Sequence, residues 1–198
     1  MKIDLDGEHA GQAYGILSAL ITPRPIAWVT TVDEAGSVNA APFSFFNVFG
    51  SRPPLVVFAP GNKEPGIPKD TARNIRRSRE FVVHMVERQL GQQMVATAAP
   101  LDHGVSELDG LGLDLLASDL IDVPRIAQAS VAMECREHSV VEVGQNRLVI
   151  GTVHCIHVRD GLFDPQTMRF NVDAYAPIGR MASPDWYCGT EDLYEIKR

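Results

Sequence analysis

The apolar positions of this chain fall in short runs separated by turn-forming residues. Residues 26–33 read IAWVTTVD, β-branched and aromatic positions that open after two prolines and stop at Asp33, Glu34 and Gly36. This pattern predicts a strand followed by a turn. A second strand begins near Val38. Residues 81–86 predict another strand, residues 89–98 a short helix, and residues 101–124 a mixed insertion rich in Gly and Asp. Residues 130–143 and 147–158 carry β-branched residues on both sides of Gly144, Gln145 and Asn146, which predicts a hairpin and with it an antiparallel sheet.

The second strand departs from ordinary patterning. Asn39, Ala40 and Ala41 are small or polar, Pro42 removes a backbone donor, and only then do Phe43, Phe45 and Phe46 supply bulk. Proline confines such a strand to a sheet edge or a bulge. Two readings stand at this point: an ordinary bulged edge strand, or one whose small side chains and spare N–H and C=O groups admit a flat heterocycle.

Two basic elements flank this strand in sequence. Arg24 lies between Pro23 and Pro25, so a stiff loop carries a guanidinium suited to phosphate. Lys69 follows Pro68 and precedes a helix that continues through Ala72, Asn74 and Ile75, with Asp70 or Thr71 as its expected N-cap. The start of a helix attracts anions, and Lys69 and the Thr71 hydroxyl add donors. A plain capped surface helix is the other reading. Arg73, Arg76, Arg77 and Arg79 spread over more than one helical face, as a solvated surface does, and a cofactor or dimer contact is the alternative.

The motifs PRPIAWVTT and NAAPFSFFN, the Pro53-Pro54 step and KDTARNI together resemble the flavin reductase-like, FMN-binding split β-barrel family, with its flavoredoxin-like and flavoprotein oxygenase-type members. The resemblance is strongest over residues 22–85 and weaker over residues 130–158 and 176–181. It implies a mainly β fold with flanking helices, a six-stranded antiparallel Greek-key split barrel, a homodimer, and FMN near the subunit interface. Carried over residue by residue, it assigns Arg24, Thr30, Thr31, Lys69, Asp70 and Thr71 to the phosphate and ribityl region. Asn39, Ala40, Ala41 and Ser44 are assigned to the ring. Trp28, Phe45 and Phe46 either flank the ring or fill the core beneath it. Pro177, Gly179 and Arg180 resemble a segment that closes over the site.

The activity so implied is an FMN-dependent oxidoreductase, an NAD(P)H-dependent flavin reductase-like protein with NADH or NADPH as donor. NAAPFSFF looks more like members that hold FMN tightly than like the Ser-rich version of reductases that serve oxygenases. The alternatives are an electron carrier of flavoredoxin type, with a small-molecule or protein redox partner, and a non-redox binding module on the same barrel. The cofactor supplies the reactive atom, so no catalytic side chain is named.

The chain of 198 residues, 45% of them hydrophobic, is expected to form one domain over residues 1–198. It lacks an apolar run of membrane-spanning length, and its MKIDLDGEHAG start lacks the features of a signal peptide, so a cytoplasmic location without membrane association is expected. Cys135, Cys155 and Cys188 show no CxxC spacing, which fits a reducing compartment. A net charge of −7 argues against nucleic-acid binding. Strand alternation puts Cys155 and His157 on one face and His154 on the other, leaving two convergent ligands where a structural zinc needs about four, so no metal is expected. GxSxG is absent, and Ser44 is not read as a nucleophile.

Overall fold

A computed structural model describes residues 1–197. Its strands are β1 (Ala27–Val32), β2 (Val38–Phe43), β3 (Phe46–Ser51), β4 (Pro54–Phe58), the short β5 (Asn62–Glu64) and β6 (Ile67–Pro68), β7 (Glu80–Met85), the short β8 (Leu115–Leu116) and β9 (Arg125–Ile126), β10 (Val131–Val143), β11 (Asn146–Val158), and the short β12 (Gly179–Arg180) and β13 (Tyr187–Cys188). The helices are α1 (Ala13–Leu20), α2 (Asp70–Ser78) and α3 (Gly91–Ala96). The expected helix over 89–98 thus divides into a 3₁₀ turn, Arg88–Leu90, and α3.

One antiparallel sheet runs in the order β2-β1-β7-β10-β11-β4-β3. The strand count is therefore seven, not the expected six. The difference arises at NAAPFSFF: Ser44 and Phe45 interrupt the extended chain, which leaves β2 on one edge and re-enters as β3 on the other. A flat sheet of seven strands is about 29 Å wide at ~4.8 Å per strand. Three residue steps from Phe43 to Phe46 span at most about 11 Å. The sheet must therefore roll up, although among the described residues no ladder joins β2 to β3.

Aromatic packing across the roll agrees. Phe43 on β2 lies 5.2 Å, centroid to centroid, from Phe58 on β4, which lies 5.5 Å from Phe81 on β7. Ala27, Val29, Val83, Cys135 and Val149 complete this interior. A side chain at Gly151 would place its Cβ 2.4 Å from the Phe81 ring, so the ring occupies the space that any larger residue on β11 would need.

β1 is buried along most of its length because both of its faces are covered. Ala27 and Val29 point into the roll, while Trp28 packs with Ile26, Ala40, Val86, Met94 and Ile126 on the outside. The register Trp28↔Pro42 puts proline on β2, an edge strand, as its missing donor requires. His84 on β7, fully buried, is fixed by two backbone groups: Nδ1 donates to Trp28 O (2.9 Å), so Nε2 accepts from Ile126 N (2.9 Å). Burial lowers its pKa to about 4.

The insertion is held against β1, β2 and β7 by side-chain to backbone bonds. Ser106 donates to Val38 O (2.7 Å), Thr30 to Pro124 O (2.8 Å), and Glu107 accepts from Ala40 N (2.9 Å). No helix among the described residues is long and apolar enough to cross a membrane.

Candidate functional site

Residue Lys69 is the N-cap of α2, in extended conformation, and no side chain caps the helix. The expected caps are otherwise engaged. The Asp70 carboxylate pairs with Lys63 (2.5 Å) and His103 (2.9 Å), and the Thr71 hydroxyl meets the Asn39 amide at 3.1 Å. Burial acts to raise the Asp70 pKa, but the bonds from Lys63 and His103 outweigh it and hold it below the ordinary value. The first-turn N–H groups of α2 consequently keep the donor capacity and positive end that attract an anion.

Among the described residues Lys69 itself forms no ion pair, and its Nζ lies 5.6 Å from the centroid of the Phe43 ring. Burial first, and then repulsion from Lys63, lower its pKa. A half-buried cation with no ion-pair partner among the described residues, next to an uncapped helix start, is suited to complete itself with an anion.

Lys69 borders two openings. A cavity of about 400 Å³ is lined by Asn39, Ala41, Pro42, Lys69, Asp70 and Thr71 on one side, and by Asn62, Lys63, Glu64, the stretch Thr97–Leu101 and Glu107 on the other. A second, of about 280 Å³, shares Pro42 and Lys69 and adds Tyr14, Ser44, Phe45, Pro60 and Arg147. Asn39, Ala41, Lys69, Asp70 and Thr71 are thus brought together in the larger cavity, with Ser44 and Phe45 next door.

Glu107 crosses the top of β2. Besides Ala40 N, it accepts from Asn39 Nδ2 at 3.1 Å when the amide is oriented so that its oxygen accepts the Thr71 hydroxyl. Burial raises the Glu107 pKa, the Ala40 N–H opposes this, and the Asp70 charge adds to the rise. The Ala40 N–H, which the heterocycle-binding reading of this strand left open to a ligand, is therefore occupied by protein.

Other expected site residues lie elsewhere. Arg24 is 7% exposed and four of its five N–H groups are taken up by its own chain: Nη1 donates to Ser18 O and to Ile21 O (2.8 Å), Nη2 to Met181 O (2.9 Å), and Nε to Ser44 Oγ (3.3 Å). Its restricted direction, set by two prolines, aims it at carbonyls. Trp28 is fully buried, its Nε1 donating to Thr97 Oγ1 (2.9 Å), so the core reading holds for it. Thr30 faces Pro124, Thr31 accepts from Asn74 (3.1 Å), and Ala40 packs into the outer core. Phe46 packs against the interior. Arg180 bridges to Arg24 through two backbone bonds, its N donating to Arg24 O (2.8 Å) and its O accepting from Arg24 N (3.0 Å), with Gly179 buried beside it, and the Arg180 guanidinium stacks 4.7 Å from the Tyr187 ring.

Of the arginines after Lys69, Arg77 donates to Val32 O and Asp33 O (2.9 and 2.8 Å), and Arg79 pairs with Glu137 (2.9 Å). Sequence reasoning missed Lys63, Thr97 and Glu107. Only the insertion's position after the KDTARNI motif hinted at Glu107, since its partner is a backbone group with no signature in residue type.

The flavin reductase like domain family matches residues 19–179. The chain is 35% identical to the 2-nitrobenzoate 2-nitroreductase NbaA of Pseudomonas fluorescens, covering all of this chain and 96% of that one with a TM-score of 0.90. It is 31% identical to nitrilotriacetate monooxygenase component B of Bacillus cereus, covering 99% and 98% of the two chains with a TM-score of 0.93. A putative flavin reductase with a split barrel domain from Shewanella frigidimarina, at 17% identity, TM-score 0.84, and 100% and 99% coverage, shares the fold. The rolled sheet with its unjoined edges is thus a split barrel, and the chain belongs to the flavin reductase like domain family.

Proposed function

We propose that this chain is an oxidoreductase that holds FMN at the junction of β2 and α2 and takes electrons from NADH or NADPH. The observation that carries this reading is Lys69, a half-buried cation with no ion-pair partner among the described residues beside the uncapped start of α2. Phosphate completes that cradle, and it favours the phosphorylated mononucleotide over riboflavin. Asn39, Ala41 and Pro42 offer small side chains to a planar group in the adjoining cavity, and the wall Thr97–Leu101 limits the access of water.

When bound, FMN supplies the hydride-accepting chemistry. The chain's own residues bind and orient. Lys69 and the α2 N–H groups hold the anion, Glu107 and Thr71 fix the Asn39 amide between them, and Lys63 draws the Asp70 carboxylate aside from the helix start. The two similar structures named above are a nitroreductase and a monooxygenase component. That pairing leaves the acceptor to experiment, with a nitroaromatic compound, free flavin and a protein partner as the three classes to assay.

A second copy of the chain is part of the reading. Tyr14, Leu17, Leu20, Ile21, Phe45, Val48 and Phe49 are all exposed, a concentration of apolar surface next to the second cavity that dimerisation would cover. Sedimentation of the purified protein tests this, and a monomer at all concentrations would remove it.

The test of the central reading is the visible spectrum of dialysed protein, recorded before and after anaerobic NADH or NADPH. Oxidised-flavin bands that bleach support the reading, and bands that persist with both donors point to an electron carrier. Protein that is colourless and does not bind added FMN overturns it.

A further inference from the structure

A second cluster of chemically potent side chains has no part in the flavin reading. Glu134 on β10 and Cys155 on β11 are directly opposed across the strands, and His157 lies two residues on, on the same face as Cys155. Asp119 reaches the group from the insertion. One ligand atom from each of Asp119, Glu134, Cys155 and His157 lies within 4.8 Å of the others. Alternation along β11 accounts for the thiol and imidazole, while the cross-strand partner and the insertion bring the two carboxylates. The expectation of only two converging ligands is corrected to four.

The geometry points to a binding site for one zinc(II) ion, held by Cys155 Sγ, His157 Nε2 and one oxygen each from Glu134 and Asp119. Tetrahedral zinc with bonds of ~2.0–2.3 Å separates its ligand atoms by about 3.3–3.8 Å. Cys155 Sγ lies 3.9 Å from His157 Nε2, while His157 Nε2 and a Glu134 oxygen are joined by a hydrogen bond of 2.5 Å. A metal replaces that bond, opening the pair by about 1 Å, within reach of a side-chain rotation. On binding, zinc exchanges water for the four donors, the Cys155 thiol releases its proton to solvent, His157 ligates as the neutral imidazole with its ring proton on Nδ1, and nothing is oxidised or reduced.

Three features favour a metal over a simple His157–Glu134 ion pair. An ion pair leaves the Cys155 thiol and the Asp119 carboxylate without a purpose at the same point. Glu134, 0% exposed, already has the outer support typical of a ligating carboxylate, accepting from Asp119 N (2.7 Å) and Leu120 N (2.8 Å). The mixture of N, O and S donors suits zinc better than calcium or magnesium, which favour oxygen. Charges balance as well: a thiolate and two carboxylates carry −3, offset by the divalent ion and by Arg125, which acts on Cys155 opposite to the carboxylates. The bound ion would fasten the insertion to the β10–β11 hairpin.

The test is a Zn²⁺ titration of the full chain after dialysis against chelator, using a competing chromophoric chelator, with Co²⁺ substitution as the spectroscopic arm. One Zn²⁺ per chain is expected, and the cobalt form should show ligand-field absorption to the red of the flavin bands, as tetrahedral sites do. Cys155→Ser and Asp119→Asn, neither of which removes a fully buried side chain, should each weaken Zn²⁺ at least tenfold, and Cys188→Ser should not. Absence of stoichiometric binding, or binding that either of the first two variants leaves unchanged, overturns the site. None of these readouts depends on flavin.

Discussion

Arg24 and Lys69 make the instructive comparison. Both are cations beside prolines, both border the strand that begins at Val38, and both suit phosphate by residue type. Arg24 is spent on three backbone carbonyls and a hydroxyl, so it ties α1, the step between β2 and β3, and the loop after β12 into one unit. Lys69, set over the Phe43 ring, has no such partners among the described residues. A ligand site is marked by donors left over after the fold has satisfied itself, and charge alone does not mark it.

The comparison predicts opposite phenotypes, and the largest belongs to Arg24. Arg24→Ala leaves three carbonyls without their donor and should cost on the order of 3–5 kcal/mol of stability in a urea titration. FMN affinity of the fraction that folds should change little; a stable variant with weakened FMN would reverse the assignment.

His84, with both ring nitrogens bonded to backbone, is a second group the fold has used up and sharpens the point through pH. Its folded pKa of about 4 lies below the ordinary 6.5, so between these values the unfolded chain binds the extra proton. Stability is complete above pH 6.5 and falls as pH drops towards 4, by up to about 3 kcal/mol. Urea midpoints across that range should show the slope, and His84→Gln, less stable at neutral pH, should flatten it.

Lys69→Ala should leave thermal stability almost unchanged while weakening FMN by roughly 1.5–3 kcal/mol, about 10- to 150-fold. Riboflavin affinity, measured by fluorescence quenching, should barely move. Equal losses for both ligands would take the phosphate away from α2. The smallest expected effect is that of Glu107→Gln, which removes a negative charge from the anion pocket and should tighten FMN by about 0.5 kcal/mol. A large loss of binding would instead make Glu107 a direct partner of the ligand.

What the sequence made legible follows from the kind of force involved. β1, β7 and the β10–β11 hairpin read directly from β-branched runs and turn residues, because burial on a pleated sheet selects those types. Lys69 and the start of α2 were readable because helix ends have a local grammar. The engagement of Arg24 was hidden, since its acceptors are carbonyls of Ser18, Ile21 and Met181, and a carbonyl belongs to every residue alike. Glu107 was hidden for the same reason, acting on an N–H 67 positions away. The seventh strand was missed because Ser44 and Phe45 carry no turn signal, yet they move the chain between edges.

That two-residue crossing also governs how the protein must assemble. β2 and β3 are neighbours in the chain, but β1, β7, β10, β11 and β4 separate them across the sheet, and of these seven strands β10 and β11 are made last. A nascent chain that has emerged only as far as β7 holds both edges and the start of the floor between them, with nothing to bridge β7 to β4. Closure must wait for residues 131–158, which places this barrel among folds rich in distant contacts that fold slowly and nearly complete their synthesis first.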